Sequence, residues 1–501
     1  MGRIEFERVT PEEVGVSSKA VTALLDSLED GTVEPHGIMI MRHGKVCTEG
    51  WWSPYAPGLI HGMQSLTKTY AATAIGIAYT EGILNLNEKI VDIFPEEAAH
   101  SSQKWLKYQT IRHVLTMSTG AKTLSSFEGN WIQNYMDHEL VFMPGTHFFY
   151  NSVGSTLLGE IIRRKTGQLL QDYLADKLFK KIGIDANYVK WLTLRDGMGI
   201  GGSGIFTILE NNLRLAKLYL DGGYWEGERI LAEDFVQEAG KKQMESSNPG
   251  EGIEAEAGYG YQMWMCSYPG VYRMSGAMGQ YALIYPAENM IIVYSGSHMG
   301  NSSDLLLGKF WDFMKDGIGN FASVPEEARR LARRLSGLSL PAPVWAPWGN
   351  QEDFEGSYKI IDGYLHIGPM TGGIMQKYYP SCPIDEFRIW WESNQICCFS
   401  FTCNGRNQIV KAGMDGLNRL NWLEFAPYPV HLTGVSAHFE KKKLILEFRW
   451  IETCFSFALI FEKKENGILT IEKVYHGVDP EKDMPHQAQG RKKTEEKKVP
   501  Y

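Results

Sequence analysis

The chain has 501 residues, 44% of them apolar and 22% charged, and its 50 Lys and Arg against 59 Asp and Glu give a formal charge of −9. That length suits two to four domains, and the composition supplies ordinary packed cores while excluding collagen-like, disulfide-dense and largely disordered classes. A mildly acidic chain has no general electrostatic reason to hold a phosphate backbone, so no nucleic-acid partner is expected.

From Met1 to Thr10 the chain lacks the long apolar run of a signal peptide, and no stretch elsewhere reaches about 18 uninterrupted apolar residues. A cytoplasmic protein with no membrane partner is the expectation. The seven cysteines contain no Cys-x-x-Cys pair and read as reduced, buried small hydrophobes. Residues 1–340 read as one mixed α/β unit. Apolar helices over Thr67–Glu81 and Asn211–Leu220 alternate with short strands such as Ile38–Met41, Ala282–Ile284 and Met290–Tyr294. A charged helix over Pro325–Leu335 follows, then the run Pro341-Ala-Pro-Val-Trp-Ala-Pro347, which cannot continue a helix and marks a linker over 341–352. Over 353–478 the pattern becomes all-β. Leu444, Leu446, Phe448 and Trp450 alternate with their neighbours, as do Phe455, Phe457, Leu459 and Phe461. Asn404-Gly405 and Asn466-Gly467 signal hairpins, and strands at this spacing suggest a small barrel or sandwich. The Lys/Glu-rich stretch 479–501 reads as a disordered polar tail.

Chemistry enters at Ser65-Leu-Thr-Lys68, which opens the apolar helix. Residues three apart on a helix are neighbours, so the Lys68 amine reaches the Ser65 hydroxyl, and the helix start adds unpaired N–H groups beside it. A serine is a poor nucleophile until a neighbour takes its proton. A lysine takes it near neutrality only if its pKa falls from about 10.4 towards 7, a change of roughly 4–5 kcal/mol that burial supplies. The spacing alone does not decide the matter, because Ser101-Ser-Gln-Lys104 has it too, in a polar stretch with no apolar helix behind it. Gly197-Met-Gly-Ile-Gly-Gly202 fits the dinucleotide pattern, but no βαβ unit precedes it. No G-x-S-x-G elbow, H-E-x-x-H or Cys/His zinc spacing occurs. The scattered histidines, such as His113 and His298, read as structural.

An Ser-x-x-Lys pair on a buried helix, a downstream tyrosine motif at Tyr150-Asn151-Ser152 and a later Ser-Gly segment at Ser275-Gly276 together resemble the serine β-lactamases and penicillin-binding proteins. Further landmarks are Pro11-Glu-Glu-Val-Gly15, Glu81-Gly-Ile-Leu84, Pro144-Gly-Thr146, Gly201-Gly-Ser-Gly204 and Ser275-Gly-Ala-Met-Gly-Gln280. The chain is similar to the class C-type branch, with its esterases, D-amino-acid peptidases and 6-aminohexanoate-oligomer hydrolases. The resemblance spans about residues 10–320. It implies an α/β (α+β) fold with an antiparallel sheet flanked by helices and a helical subdomain, followed here by a lipocalin-like barrel that caps the cleft, mediates assembly or is passive.

The resemblance also implies an acyl-enzyme on Ser65, with Lys68 and Tyr150 as proton-transfer residues. The backbone N–H groups of Ser65 and Ala277 form the oxyanion hole, Ser152, Ser275 and Gly276 contact substrate, and no cofactor or metal is needed. Lys68 is expected to lower the Tyr150 pKa. Gly197–Gly202 becomes part of the active-site wall. Ser152 stands where the class C pattern has Asn, and Met274-Ser275-Gly276 replaces Lys-Thr-Gly or His-x-Gly, so recognition of a β-lactam carboxylate is reduced. The expected partner is a small-molecule or short-peptide amide or ester, with homo-oligomer formation open. Alternatives are a sensor that acylates without efficient turnover, a true β-lactamase, and an interaction module on a hydrolase scaffold. The loops Ser125–Glu139 and Gln243–Gly258 decide substrate choice.

Overall fold

A computed structural model describes residues 5–246, 252–298, 303–368, 382–425, 428–464, 467–477 and 485–493. The chain divides into two compact units, Met1–Leu338 and Ser339–Tyr501.

The first unit is organised by a six-stranded antiparallel sheet. Its order is Lys45–Trp51, Val33–Arg42, Met290–His298, Gln280–Tyr285, Tyr272–Gly276 and Trp264–Met265. Register sets Ile38 opposite Tyr294 and Leu283 opposite Ile292. Every residue of Gln280–Tyr285 and Met290–His298 is buried, so the central strands read as continuous apolar runs because both faces are covered. The Leu209–Leu220 helix lies against three of these strands, and Ser18–Leu28 packs on Ser303–Gly317.

A helical layer holds Thr67–Thr80 against Ser152–Thr166. Thr67 through Ala78 are all buried, as expected of a helix apolar all round. The approach is close: a Cβ on Gly76 would sit 2.5 Å from the Phe235 ring. The expected Ser125–Glu139 loop contains the Trp131–Asp137 helix, capped by the Asn130 side chain, while part of Gln243–Gly258 lies outside the described residues.

The second unit is a closed nine-stranded barrel. Around the ring come Arg406–Gly413, Ile396–Cys403, Glu386–Ser393, Gly356–Gly363, Gln487–Lys492, Ile468–His476, Ser456–Lys463, Lys443–Trp450 and Leu432–Glu440. A parallel bridge from Gly413 to Ser436 closes it, and Arg419–Trp422 adds outside Leu432–Glu440. Phe387, Phe399 and Phe461 meet in its core with ring centroids 5.6–6.0 Å apart. Asn404-Gly405 forms the expected two-residue hairpin, with φ +49° and +75°, as a type I′ turn requires. Asn466 of the second hairpin lies outside the described residues.

Three expectations change. The polar tail contains the strand Gln487–Lys492, paired with Gly356–Gly363 and Ile468–His476. Cys382 and Cys403 form a disulfide with Cα atoms 5.8 Å apart, rather than remaining free thiols. The proline-rich run lies on the barrel, where the Ala346 carbonyl accepts a hydrogen bond from the Phe439 N–H. No helix among the described residues is long and apolar enough to cross a membrane.

Candidate active site

Ser65 sits in a 3₁₀ turn, Gln64–Leu66, that runs directly into the Thr67–Thr80 helix. The turn is anchored to the Ile205–Thr207 strand. Met63 N–H donates to the Ile205 carbonyl, and Ile205 N–H donates to Thr67 Oγ1. Gln64, just before the serine, adopts φ +50°, an uncommon left-handed conformation for a non-glycine residue that surrounding contacts must enforce.

One helical turn later, Lys68 is 1% exposed. Its Nζ donates to Ser65 Oγ at 3.0 Å and to the Gly202 carbonyl. Among the described residues no carboxylate pairs with it, and burial alone brings its pKa down from 10.5 to about 7. Close packing of the glycine wall makes this possible. A Cβ on Gly202 would lie 2.2 Å from the Ser152 carbonyl, and one on Gly201 2.7 Å from the Ser155 carbonyl. The wall can therefore bring a carbonyl onto the amine only because both residues lack side chains.

Tyr150 completes the group. Its ring lies beneath Lys68, with Nζ 4.7 Å from the centroid, and its phenol is near the Ser65 hydroxyl and the Trp264 indole. The ring stays partly open to the surface, yet burial of the phenol pushes its pKa up to about 12, opposed by those two polar neighbours. The expectation that Lys68 lowers it is thereby corrected: the amine faces the ring, and desolvation outweighs it. Ser65, Lys68 and Tyr150 stand in mutual reach.

The remaining expected residues are arranged around this group. Gly276 ends the Tyr272–Gly276 strand, and a Cβ there would meet the Met63 carbonyl at 2.2 Å and Gln64 Cβ at 3.2 Å. The strand end thus lies on the backbone leading into Ser65. Ala277 follows in a tight turn with Met278 at φ +62°. Ser275 is half-buried one residue before Gly276. Ser152 opens the Ser152–Thr166 helix beside Gly202, while Asn151 caps that helix, its side chain accepting from Gly154 N–H at 2.9 Å. That amide is occupied within the fold.

Arg273 is 3% exposed, and its guanidinium bonds with Glu254 at 3.3 Å and with the Met265 carbonyl at 2.6 Å. It lies 5.8 Å from the Trp264 ring, and Glu254 matches its charge. The second Ser-x-x-Lys is scattered: Ser101 donates to the Met136 carbonyl, and Lys104 lies over Trp105. His113 serves the Ile111–Leu115 helix cap. Among the described residues no three His, Cys, Asp or Glu side chains gather as metal ligands would. Sequence reasoning missed Trp264, the Gly202 carbonyl and Glu254. Gly202 lies in the expected active-site wall and Glu254 in the Gln243–Gly258 loop, but neither the carbonyl's direction nor the Arg273 pairing was named there.

Comparison with known proteins identifies the family of this chain. The family model described as Beta-lactamase matches residues 25–309. A 6-aminohexanoate-dimer hydrolase of Paenarthrobacter ureafaciens is 23% identical over 311 residues, covering 57% of this chain and 78% of that protein. A solved structure from Bacillus anthracis, provisionally named a 6-aminohexanoate-dimer hydrolase, superposes with a TM-score of 0.50 at 17% identity, over 66% of this chain and 89% of that one. The octameric penicillin-binding protein homologue from Pyrococcus abyssi aligns over 94% of this chain and 99% of its own, with a TM-score of 0.47 and 14% identity. With the Beta-lactamase model spanning more than half of the sequence, the chain belongs to the beta-lactamase family and is a hydrolase of that serine-hydrolase superfamily.

Proposed function

We propose that the protein cleaves an amide or ester bond of a small molecule or short peptide through an acyl-enzyme on Ser65. The observation that carries this reading is Lys68, a buried amine 3.0 Å from Ser65 Oγ whose pKa lies near 7. Near neutrality about half of it is the free base. It takes the hydroxyl proton as Oγ attacks the carbonyl carbon. Backbone N–H groups of Ser65 and Ala277 receive the developing oxyanion. Tyr150, protonated because its pKa stands near 12, gives its proton to the leaving group as the tetrahedral adduct collapses.

Deacylation reverses the transfers. The Tyr150 phenolate takes a proton from water, hydroxide attacks the ester, and Ser65 Oγ leaves with the proton held on Lys68. Both groups return to their starting forms. Ser152, Ser275 and Gly276 border the carbonyl in this reading. The Glu254–Arg273 pair leaves Arg273 unsuited to hold a substrate carboxylate, which favours neutral amides and esters over β-lactams.

A chromogenic ester tests the proposal. Wild type should turn over at steady state and carry an acyl adduct of the expected mass on Ser65, and Ser65→Ala should remove both. Turnover surviving Ser65→Ala would overturn it. A stoichiometric burst without steady state would keep the acylation half and establish the sensor instead.

A further inference from the structure

We infer that the leaving-group side of the substrate is an extended, uncharged chain, held along Trp264 and Phe148 and ending in a cavity beside them. This rests on the Ser65 reading and specifies its substrate.

The cavity has a volume of about 560 Å³ and is lined by Thr146, His147, Phe148, Lys242, Met244 and Glu245, among others. Phe148 belongs equally to an aromatic cluster that reaches the phenol. Its ring lies 5.9 Å from Trp264 and 5.3 Å from Tyr259, and Trp264 lies 5.6 Å from Tyr150. The far wall is tied to the same cluster through the backbone. Tyr259 N–H donates to the Met244 carbonyl at 3.0 Å, and Met244 N–H donates back to Tyr259 at 3.1 Å. Tyr259 also bridges to Trp264. Through Phe148 and Trp264 the cavity lining is thus in ring contact with Tyr150.

Direction follows from the chemistry. Tyr150 gives its proton to the departing group, so the atoms beyond that group lie on the Tyr150 side, over Trp264 and Phe148. Charge follows from the lining. Lys242 pairs with Glu245 at 2.6 Å, Thr146 Oγ1 bonds with His147 Nδ1 at 2.8 Å, and the His147 ring stacks 3.8 Å from Phe142. These polar groups satisfy one another and leave no matched partner for an ionised end. The lining's charges are already paired, so an ionised end gains no counter-charge there, whereas methylene or aryl groups against the half-buried Phe148 and Met244 gain from leaving water.

Acetate esters of ethanol and hexanol test this, because alkanols of nearly equal basicity vary the chain and leave the chemistry fixed. In wild type kcat/KM should be about tenfold higher for hexyl acetate, as partial burial of the added methylenes implies. The carboxylate-ended analogue, 6-acetoxyhexanoate, should lose that gain. Phe148→Leu, and Thr146→Arg placed at the exposed rim, should each bring the hexyl-to-ethyl ratio below about threefold. Equal constants for the two acetates in wild type, or a ratio unmoved by both variants, would overturn the inference while leaving Ser65-dependent hydrolysis intact. So would ethyl hexanoate gaining as much as hexyl acetate, since the acyl side would then occupy the cavity. Failure to turn over any of these esters, or turnover surviving Ser65→Ala, would remove the hydrolase reading and this one with it.

Discussion

An ammonium at Lys68 would have to do without hydration and without a carboxylate, so the folded protein holds an amine that titrates near 7. This gives the kinetics a signature. As pH falls through about 7, kcat/KM for a neutral ester should decline tenfold per unit, while Tyr150, near 12, keeps its proton well into the alkaline range. A pH–rate profile checks this, and an acidic limb near 4 to 5, as a carboxylate base would give, would sink it. The same shift burdens stability. Between about 7 and 10.5 the unfolded chain binds a proton at Lys68 that the folded chain does not. Stability therefore rises with pH across that window by about 1.4 kcal/mol per unit from this group, and the cost is complete below 7. Lys68→Met should abolish turnover yet stabilise the first unit at pH 7. The relief is about 4 kcal/mol, less about 1–3 kcal/mol for acceptors left bare at Gly202 and Ser65. Urea unfolding at pH 7 and 9 should show the variant's advantage shrinking as pH rises.

At the next scale, the site depends on elements whose backbones meet without side chains between them. The end of Tyr272–Gly276 rests on the turn before Ser65, with no room for a Cβ at Gly276. Gly276→Ala should move the Ala277 N–H away from the serine and lower kcat by about 10²–10³, the cost of one oxyanion donor. Circular dichroism should stay unchanged, and full activity in the variant would dissociate Ala277 from the oxyanion.

How the site reads from sequence follows the same division. Ser65 and Lys68 were legible because their relation is local, one helical turn, and the apolar run behind them announces burial. Alternation along Tyr272–Gly276 places Arg273 and Ser275 on one face, but nothing near Arg273 in sequence names Glu254 as its partner. The Gly202 carbonyl and Trp264 act through long-range packing, and neither a carbonyl direction nor a ring contact has a periodicity. The direction in which the Tyr150 phenol titrates was not legible, because desolvation is a property of the packed site.

Across the whole molecule, the two units draw on different logic. All residues assigned to the site lie in the first, between Ser65 and Ala277. The second depends on ring closure, which pairs each of its nine barrel strands on both sides. Its last strand, Gln487–Lys492, escaped sequence reading because its inward positions are Ala488 and Gly490, small residues that carry no apolar alternation. The Gly490 Cα faces the Phe387 ring, where an added Cβ would make an ordinary contact at 3.4 Å, so the ring fills the space a larger side chain would need. Removing the strand would strip the backbone partners of both Gly356–Gly363 and Ile468–His476 and expose two edges. A chain ending at Gly477 should lose the cooperative unfolding transition of the second unit and self-associate through those edges. A chain ending at Lys493 should behave like the full-length protein. Calorimetry and light scattering on the three lengths decide it. Identical transitions in all three would make this segment the dispensable tail its composition suggests. Ester turnover per folded molecule should persist in the shorter chains, since every residue assigned to the chemistry around Ser65 belongs to the first unit.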